Sequence, residues 1–502
     1  MATGEPISKN LSELRTSDDV NVFNYESFWQ APQAASVNIM WLGQLFAIMC
    51  LSSQFQQLVL APSAPSAPTP LVLSPGQDHE LAIATFQAKS VECLILGHYT
   101  KGGPYVLETL ILYFLSEIFP LKEVDVDIWM LVGTIVQVAM HMGYHRDAAH
   151  FPQNITPFAG EMRRRVWSMV VQLDFSISTQ LGLPRLVSQA NTAEPRNLAD
   201  SDFDESTAEL PPSRPQIEVT PILYTLAKLR IISVGIQISD LTTEPRTYPY
   251  NEVLHLDQQI NEAMDSLPSS MKWEGLSSSL TATSLVLIQR IWLNMCIQRL
   301  KVVLHKKFLV PSSSERQQYA YSRSTCLAAA MRILEFQHLI DEETRPDGRL
   351  YQIRWRVSTA VTQEFLLATS VLCLYLQTRV QNHERHPQPQ QQYSLEDAEA
   401  ALQENRIRQL LQTSMDIWLR LSAESTEARR AAEALRYVLR ETEPFQVALH
   451  NAISGHSPAP LDFQGFVQPM PNYNSAGVEF EGIEDFRLFS GLVGVITKNG
   501  KY

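Results

Sequence analysis

Positive charge is in short supply in this chain. Its 502 residues carry 40 lysines and arginines against 53 aspartates and glutamates, a formal charge of −13. A chain of that sign repels phosphate overall, so any DNA contact needs a local basic module or a partner. Cysteine is scarce as well. Cys50, Cys93, Cys296, Cys326 and Cys373 are the whole complement, and no two have the C-x2-C spacing that opens a zinc knuckle. The odd count and wide spacing argue for buried thiols in a reducing compartment, not a disulfide scaffold. The amino terminus shows no basic stretch followed by an apolar core, so no signal peptide is read. The most apolar runs, 37–51, 106–120, 128–142 and 366–376, fall short of the roughly 20 residues of a membrane span or carry interruptions. Asn38, Gln44, Glu108, Glu117 and Gln137 are among those interruptions. The expectation is a soluble intracellular protein with no membrane partner.

Catalytic signatures are missing too. No G-x-S-x-G elbow, P-loop or G-x-G-x-x-G occurs. The letters HRD in GYHRD match a kinase catalytic loop, but Pro152 stands where that loop needs an asparagine. His141, His145 and His150 suggest a metal site by their spacing, yet Met142 occupies the place of the glutamate in HExxH. Capping or packing at a helix end is the favoured role for His141 and His145. Asp200, Asp202, Asp204 and Glu205 read as a solvated turn. Nothing supports an enzyme: no catalytic, cofactor-binding or metal residue is assigned.

What is present is the helix period. Hydrophobic residues make up 45% and charged residues 19%, a globular composition. Over 156–182, Met162, Val166, Met169, Leu173, Ile177 and Leu181 recur at steps of three and four, which predicts one apolar face. Thr156 is placed to cap that helix, Pro157 suits its first turn, and Gly182 with Pro184 ends it. A second run follows Thr220 and Pro221, with Ile222, Leu226, Leu229, Ile232 and Ile236 in line. Others cover 284–305, 319–340, 351–380, 395–421 and 424–441. Strict alternation is rare. The predicted fold class is all-α, a stacked array of a dozen or more helices with flexible Pro-rich linkers and an irregular C-terminal tail. Connections are expected at 61–70, 209–216 and 383–392.

The densest basic run in the first half of the chain is Arg163, Arg164 and Arg165. It can serve nuclear import or contact phosphate; the favoured reading is structural. Arg163 then lies over Trp167 one turn on, while Arg164 and Arg165 pair with Asp174, Asp200 or Asp202.

Several of these residues fall into a pattern. Gly143, His145, Arg146 and Asp147 spell G-x-H-R-D. Glu161, Arg163, Arg164, Arg165 and Trp167 spell E-x-R-R-R-x-W, with Asp174 further along the same helix. Gly182 and Pro184 give G-x-P, and Pro195, Asn197, Asp200 and Asp202 give P-x-N-x-x-D-x-D. This block resembles the middle homology region of fungal zinc-cluster transcription factors; Leu183 departs from it, where that family often has arginine. Fainter likeness runs through 294–309, where Lys306 and Lys307 replace Arg-Pro, through 322–334, and through 25–51.

The resemblance implies an all-α regulatory region that follows a DNA-binding head and modulates activation, in some members in answer to a small molecule. That head would hold two zinc ions on six cysteines, which are absent here. No cofactor is therefore expected in this chain, with zinc only in an upstream head. DNA would be reached through that missing head or a partner regulator. Other partners are transcription factors or coactivators and a small-molecule effector, and the place of action is the nucleus. The expected organisation is an arm over 1–24, the regulatory region over 25–270 with a Pro-rich linker at 61–78, a helical continuation over 271–450 and an irregular tail over 451–502. In that tail, 478–489 mixes acidic residues with Phe480, Ile483, Phe486, Leu488 and Phe489. Two readings stand: an activation segment, or a terminal element docked on the core. Two functions also stay open: a regulator of a metabolic or secondary-metabolite gene set, and a helical ligand-sensing or interaction module that does not contact DNA.

Overall fold

A computed structural model describes residues 37–60, 75–121, 124–151, 155–188, 191–243, 248–310, 317–357, 359–385, 395–423 and 425–453. Among these the chain is all-α, with twelve α-helices and no strand. One isolated parallel bridge joins Arg146 and Asn191. No helix among the described residues is long and apolar enough to cross a membrane. The arm over 1–24, the run 61–74 and the acidic–aromatic segment 478–489 lie outside the described residues.

The chain divides into two compact units. Unit 1 gathers Met1–Glu244, Gln258–Asn294 and Glu343–Ala360. It contains α1 (Ile39–Leu60), α2 (Pro75–Leu96), α3 (Val106–Ile118), α4 (Val126–His141), α5 (Pro157–Leu181) and α6 (Leu223–Thr243). The expected linker 61–78 ends sooner than its composition suggested, because α2 starts at Pro75; proline lacks the N–H that a first helical turn leaves unpaired. Ile39, Leu107, Phe114, Val132, Ile135 and Val170 form part of the dry centre of this unit. A side chain of that kind contributes roughly 1.5–3 kcal/mol when fully buried. Gly43 lets α1 and α2 approach closely: a Cβ there would stand 2.9 Å from Cys93 Cβ. Ser90 Oγ fastens this contact by donating to Gly43 O at 3.2 Å, and Thr109 Oγ1 ties α3 to α1 by donating to Met40 O at 2.9 Å.

Unit 2 gathers Pro245–Asp257, Met295–Glu342 and Val361–Tyr502. It contains α9 (Ala320–Glu343, up to Glu342), α10 (Thr359–Arg385, from Val361), α11 (Leu395–Leu421) and α12 (Thr426–Ile453). Two further helices, α7 (Tyr250–Asp265) and α8 (Ser284–His305), pass along the chain from one unit's residues into the other's. Cys326, Leu334, Leu372, Leu411, Trp418 and Leu435 are among the fully covered residues of unit 2. A polar chain crosses it. His305, fully buried, meets Asp257 Oδ1 through Nε2 at 3.1 Å and Ser322 Oγ through Nδ1 at 2.9 Å, while Tyr321 donates to Asp257 Oδ2.

Helix boundaries follow local chemistry. In α5, Thr156 Oγ1 accepts from Ala159 N at 3.2 Å, Pro157 opens the first turn, and Gly182 closes the last with φ +65. That left-handed conformation costs glycine nothing and an L side chain about 1 kcal/mol. The expected stripe of α5 is covered in part: Ile177 is buried and Val166, Leu173 and Leu181 pack against the core. Met162 and Met169 are exposed, while Glu161, Ser168, Gln172, Asp174 and Ser178 are buried beside Trp167, Val170 and Ile177. The period is helical but the buried face reaches beyond the stripe, because this helix also buries carboxylates and hydroxyls that hold the chain segments around it.

Candidate functional site

The block 143–202 builds one connected site in unit 1. It starts where α4 ends. Gly143 has φ +76, so the chain reverses there, and Tyr144 N donates back to Ala139 O at 3.0 Å. The reversal lays Tyr144 under α5. The Arg163 guanidinium sits 4.1 Å from the Tyr144 ring centre and Nη2 donates to Met142 O at 2.6 Å. Burial and the nearby Glu108 push the Tyr144 phenol up to about 12, against the pull of Arg163. His145 packs at 6.4 Å from the Trp167 ring, and its Nδ1 is buried without a hydrogen-bond partner. His141 and His150 are exposed.

Asp147 is the hub. Arg164 grips it with two parallel bonds, Nε to Oδ2 at 2.8 Å and Nη2 to Oδ1 at 2.7 Å. Planar fork-to-carboxylate pairing of this kind is the strongest ion pair proteins make. Ala149 N and Ala193 N donate to the same carboxylate at 2.8 and 2.9 Å. The Arg164 guanidinium, helped by these amides and opposed by burial, holds the Asp147 carboxyl far below the usual aspartate range. Asp147 is buried at 5% exposure.

Arg165 and Glu161 tie down the next segment. Arg165 donates to Glu161 Oε1 at 3.3 Å, to Asp200 Oδ1 at 2.8 Å and to Leu198 O at 2.9 Å, and its guanidinium lies 4.8 Å from the Phe203 ring centre. Glu161 is fully buried and also accepts from Arg196 N at 3.0 Å. Burial raises its carboxyl above the usual range, despite Arg165, Arg196 N and Arg164. Asn197, also buried, accepts from Thr220 Oγ1 at 2.6 Å and donates to Arg214 O and Pro215 O. Asp202 caps Ala199 N at 2.7 Å and is held by both ends of the Arg214 fork. Further along α5, Asp174 accepts from Leu186 N at 3.0 Å and from Val187 N at 2.8 Å. This fixes the chain just after Gly182 and the exposed Pro184.

The carboxylates and guanidiniums of α5 thus clasp an irregular strap over 185–220. Arg165 holds the strap directly, Arg164 holds it through Asp147, and Arg163 is used on the turn at Met142 and Tyr144. Arg146 alone among the motif arginines is exposed and forms no ion pair among the described residues. Among the described residues no three His, Cys, Asp or Glu side chains stand together as metal ligands.

The clasp lies within a recognisable sequence span. The chain matches the fungal-specific transcription factor domain over residues 17–267. It is 57% identical over 91% of its length to the pyrrolocin cluster transcription factor fsdR of Fungal sp. (strain NRRL 50135), covering 59% of that relative. It is 43% identical to the equisetin cluster transcription factor eqxF of Fusarium heterosporum, covering 83% of this chain and 57% of the relative. With the transcription factor cghF of Chaetomium globosum it shares 38% over 82% of this chain and 69% of the relative. The chain belongs to the fungal-specific transcription factor domain family. It spans 59% of the length of the first two curated relatives it matches, and no solved structure matches it. The names of these relatives describe transcription factors, not enzymes.

In this fungal transcription factor domain several contacts differ from those expected. Arg163 covers Tyr144 rather than Trp167, because the α4 turn delivers a tertiary ring that no helical spacing announces. Arg164 pairs with Asp147, 17 positions upstream, and Arg165 finds Asp200. Asp174 takes neither arginine; its oxygens are used by backbone amides. Sequence reasoning also passed over Tyr144, Arg196 and Arg214. Arg214 lies in the stretch 209–216, expected as a flexible Pro-rich linker. That stretch is instead pinned, with Leu210 O and Pro211 O accepting from Arg196 at 2.7 and 2.8 Å and Ser213 Oγ from Asn197 N at 3.2 Å. Proline blocks helix and sheet there but leaves carbonyls free to accept.

Proposed function

We propose that this chain is the regulatory portion of a zinc-cluster type regulator that acts in the nucleus on a secondary-metabolite gene cluster. The observation that carries this reading is the 57% identity, over 91% of the chain, to a pyrrolocin cluster transcription factor. The charge distribution agrees with it. With a net −13 and Arg164 and Arg165 committed to carboxylates, these helices offer little to a phosphate backbone. DNA is then contacted through a zinc-cluster head or a partner regulator, and zinc belongs to that head. The helical region transmits regulation, receiving other transcription factors, coactivators or a small apolar effector between its helices.

Deleting the gene in its fungus is expected to silence the adjacent biosynthetic genes, read as transcript levels; unchanged transcripts would contradict the proposal. The purified 502-residue chain is expected to give no sequence-specific gel shift with the cluster's promoters. A shift competed away only by one sequence would show that these helices read DNA themselves.

A further inference from the structure

Glu108 is a carboxylate without a cation. It stands in the first turn of α3, where its carboxyl accepts from its own amide and Oε2 is buried with no hydrogen-bond partner among the described residues. Burial pushes this carboxyl up, as expected of a charge that lacks a partner. Two phenols stand beside it. Tyr105 is the N-cap of α3 and Glu108 its third residue, positions that reach each other across a first helical turn. Tyr105 and His98 are the non-glycine residues with positive φ among the described residues, at +64 and +51, and both belong to the turn between α2 and α3. Backbone of this kind is disfavoured for any side chain and gathers at functional sites. The turn packs on the end of α4, since a Cβ at Gly102 would stand 2.8 Å from Met142 Cγ. Two residues further on, Tyr144 is buried in the core that also covers Val106 and Leu107 of α3. The Tyr105 phenol is pushed up by burial, Glu205 and Glu108, and that of Tyr144 by burial and Glu108 against Arg163. Neither phenol oxygen has a hydrogen-bond partner among the described residues.

Net charge does not select a ligand here, because Arg163 and the exposed Lys101 of the turn offset Glu108 and the exposed Glu205. The arrangement of oxygens does. Arg163 lies over the Tyr144 ring, donates to Met142 O and pairs with no acid among the described residues. Glu108 Oε2 and the two phenol oxygens are left as acceptors. A primary ammonium carries three N–H donors and no acceptor. We propose that Glu108, Tyr105 and Tyr144 form a binding site for the ammonium group of a small primary amine. The carboxylate takes the charge-assisted bond, and the phenols take the remaining donors. Glu205 adds negative potential beside Tyr105, where the amine enters. Binding gives a buried carboxylate the partner it lacks. The inference stands on these groups and does not depend on the chain being a regulator.

The test uses the full 502-residue chain and propylammonium chloride, with tetramethylammonium chloride at equal ionic strength as the reference. Propylammonium is expected to raise the thermal midpoint and to receive saturation transfer from the protein in NMR, both effects levelling off with concentration. Tetramethylammonium has the charge but no N–H and is expected to do neither. Tyr105→Phe and Tyr144→Phe should each weaken binding about tenfold. Their helical circular dichroism and ligand-free midpoint should match the parent's, because neither hydroxyl is bonded within the described chain. Glu108→Gln should abolish binding without lowering the ligand-free midpoint, since it removes a buried charge. In the parent chain, affinity should fall at least about tenfold as the pH is lowered from about 8 to about 5, because protonation of Glu108 removes the anion. Equal responses to the two cations, binding that survives Glu108→Gln, or an affinity indifferent to pH and to both phenylalanine variants would overturn the proposal.

Discussion

Asp147 decides how the turn after α4 meets α5, since its two oxygens serve Arg164, Ala149 and Ala193 together. Replacing it by asparagine keeps the shape and leaves Arg164 charged with a weakened partner. The expected loss is about 2 kcal/mol, less than for a deeply buried pair because solvent lies close by; a denaturation curve of the whole chain shifted by under about 0.5 kcal/mol would refute it. The pH dependence has a definite sign. The folded-state pKa of Asp147 is lowered, so the unfolded chain takes up the proton first, near its usual value of about 3.9. The contribution of Asp147 is present in full above that pH and is lost as pH falls toward the depressed folded value. Glu161 has the opposite sign: its raised pKa means that ionisation works against the folded state at neutral pH and that acid relieves this. Glu161→Gln, which still offers an oxygen to Arg196 N, is therefore expected to cost less than Asp147→Asn, about 1 kcal/mol at most. Comparing both variants along the acid limb checks the two signs. At this scale the sequence revealed which residue types mattered but not their pairs. Arg165 with Asp200 was legible; Arg163 with Tyr144 was not, because it depends on the left-handed turn at Gly143 placing a ring beneath another helix.

Elements were more legible, since capping is local. Thr156, Pro157 and Gly182 bound α5 as their chemistry requires, and α8 and α11 span the residues whose periodicity announced them. What periodicity could not tell was how far burial reaches beyond the apolar stripe. An apolar stripe predicts burial only when polar residues have no better use, and in α5 Glu161, Gln172 and Asp174 are buried because each has a backbone group to hold. Glycine substitutions separate conformational from steric cost. Gly182→Ala meets open space at a positive φ and should cost about 1 kcal/mol. Gly43→Ala has ordinary helical angles but presses on Cys93 at 2.9 Å and Thr109 at 3.3 Å, which should cost about 1–3 kcal/mol. Equal thermal shifts for the two would contradict this division.

For the molecule as a whole, composition and period established an all-α protein, and the family block at 143–202 pointed to transcription. The division of the chain into two units that each draw on three separate segments has no sequence signal, because it depends on which helices pack together far along the chain. The clasp makes a prediction about cellular output. If Arg164 and Arg165 shape the domain and do not touch DNA, Arg164→Ala and Arg165→Ala should lower protein abundance and cluster transcripts in parallel, leaving transcripts per molecule unchanged. A fall in transcript with abundance intact would assign those arginines a contact role.

Among the described residues of 185–220 only the single turn Asp200–Asp202 is helical, and many backbone amides lean on side-chain oxygens. Leu186 and Val187 use Asp174, Ala193 uses Asp147, Arg196 uses Glu161 and Ala199 uses Asp202. Opening the strap breaks these contacts while every helical i to i−4 bond stays intact. Deuterium uptake under native conditions should therefore begin at these few amides, giving the domain a seam that opens before the helices do.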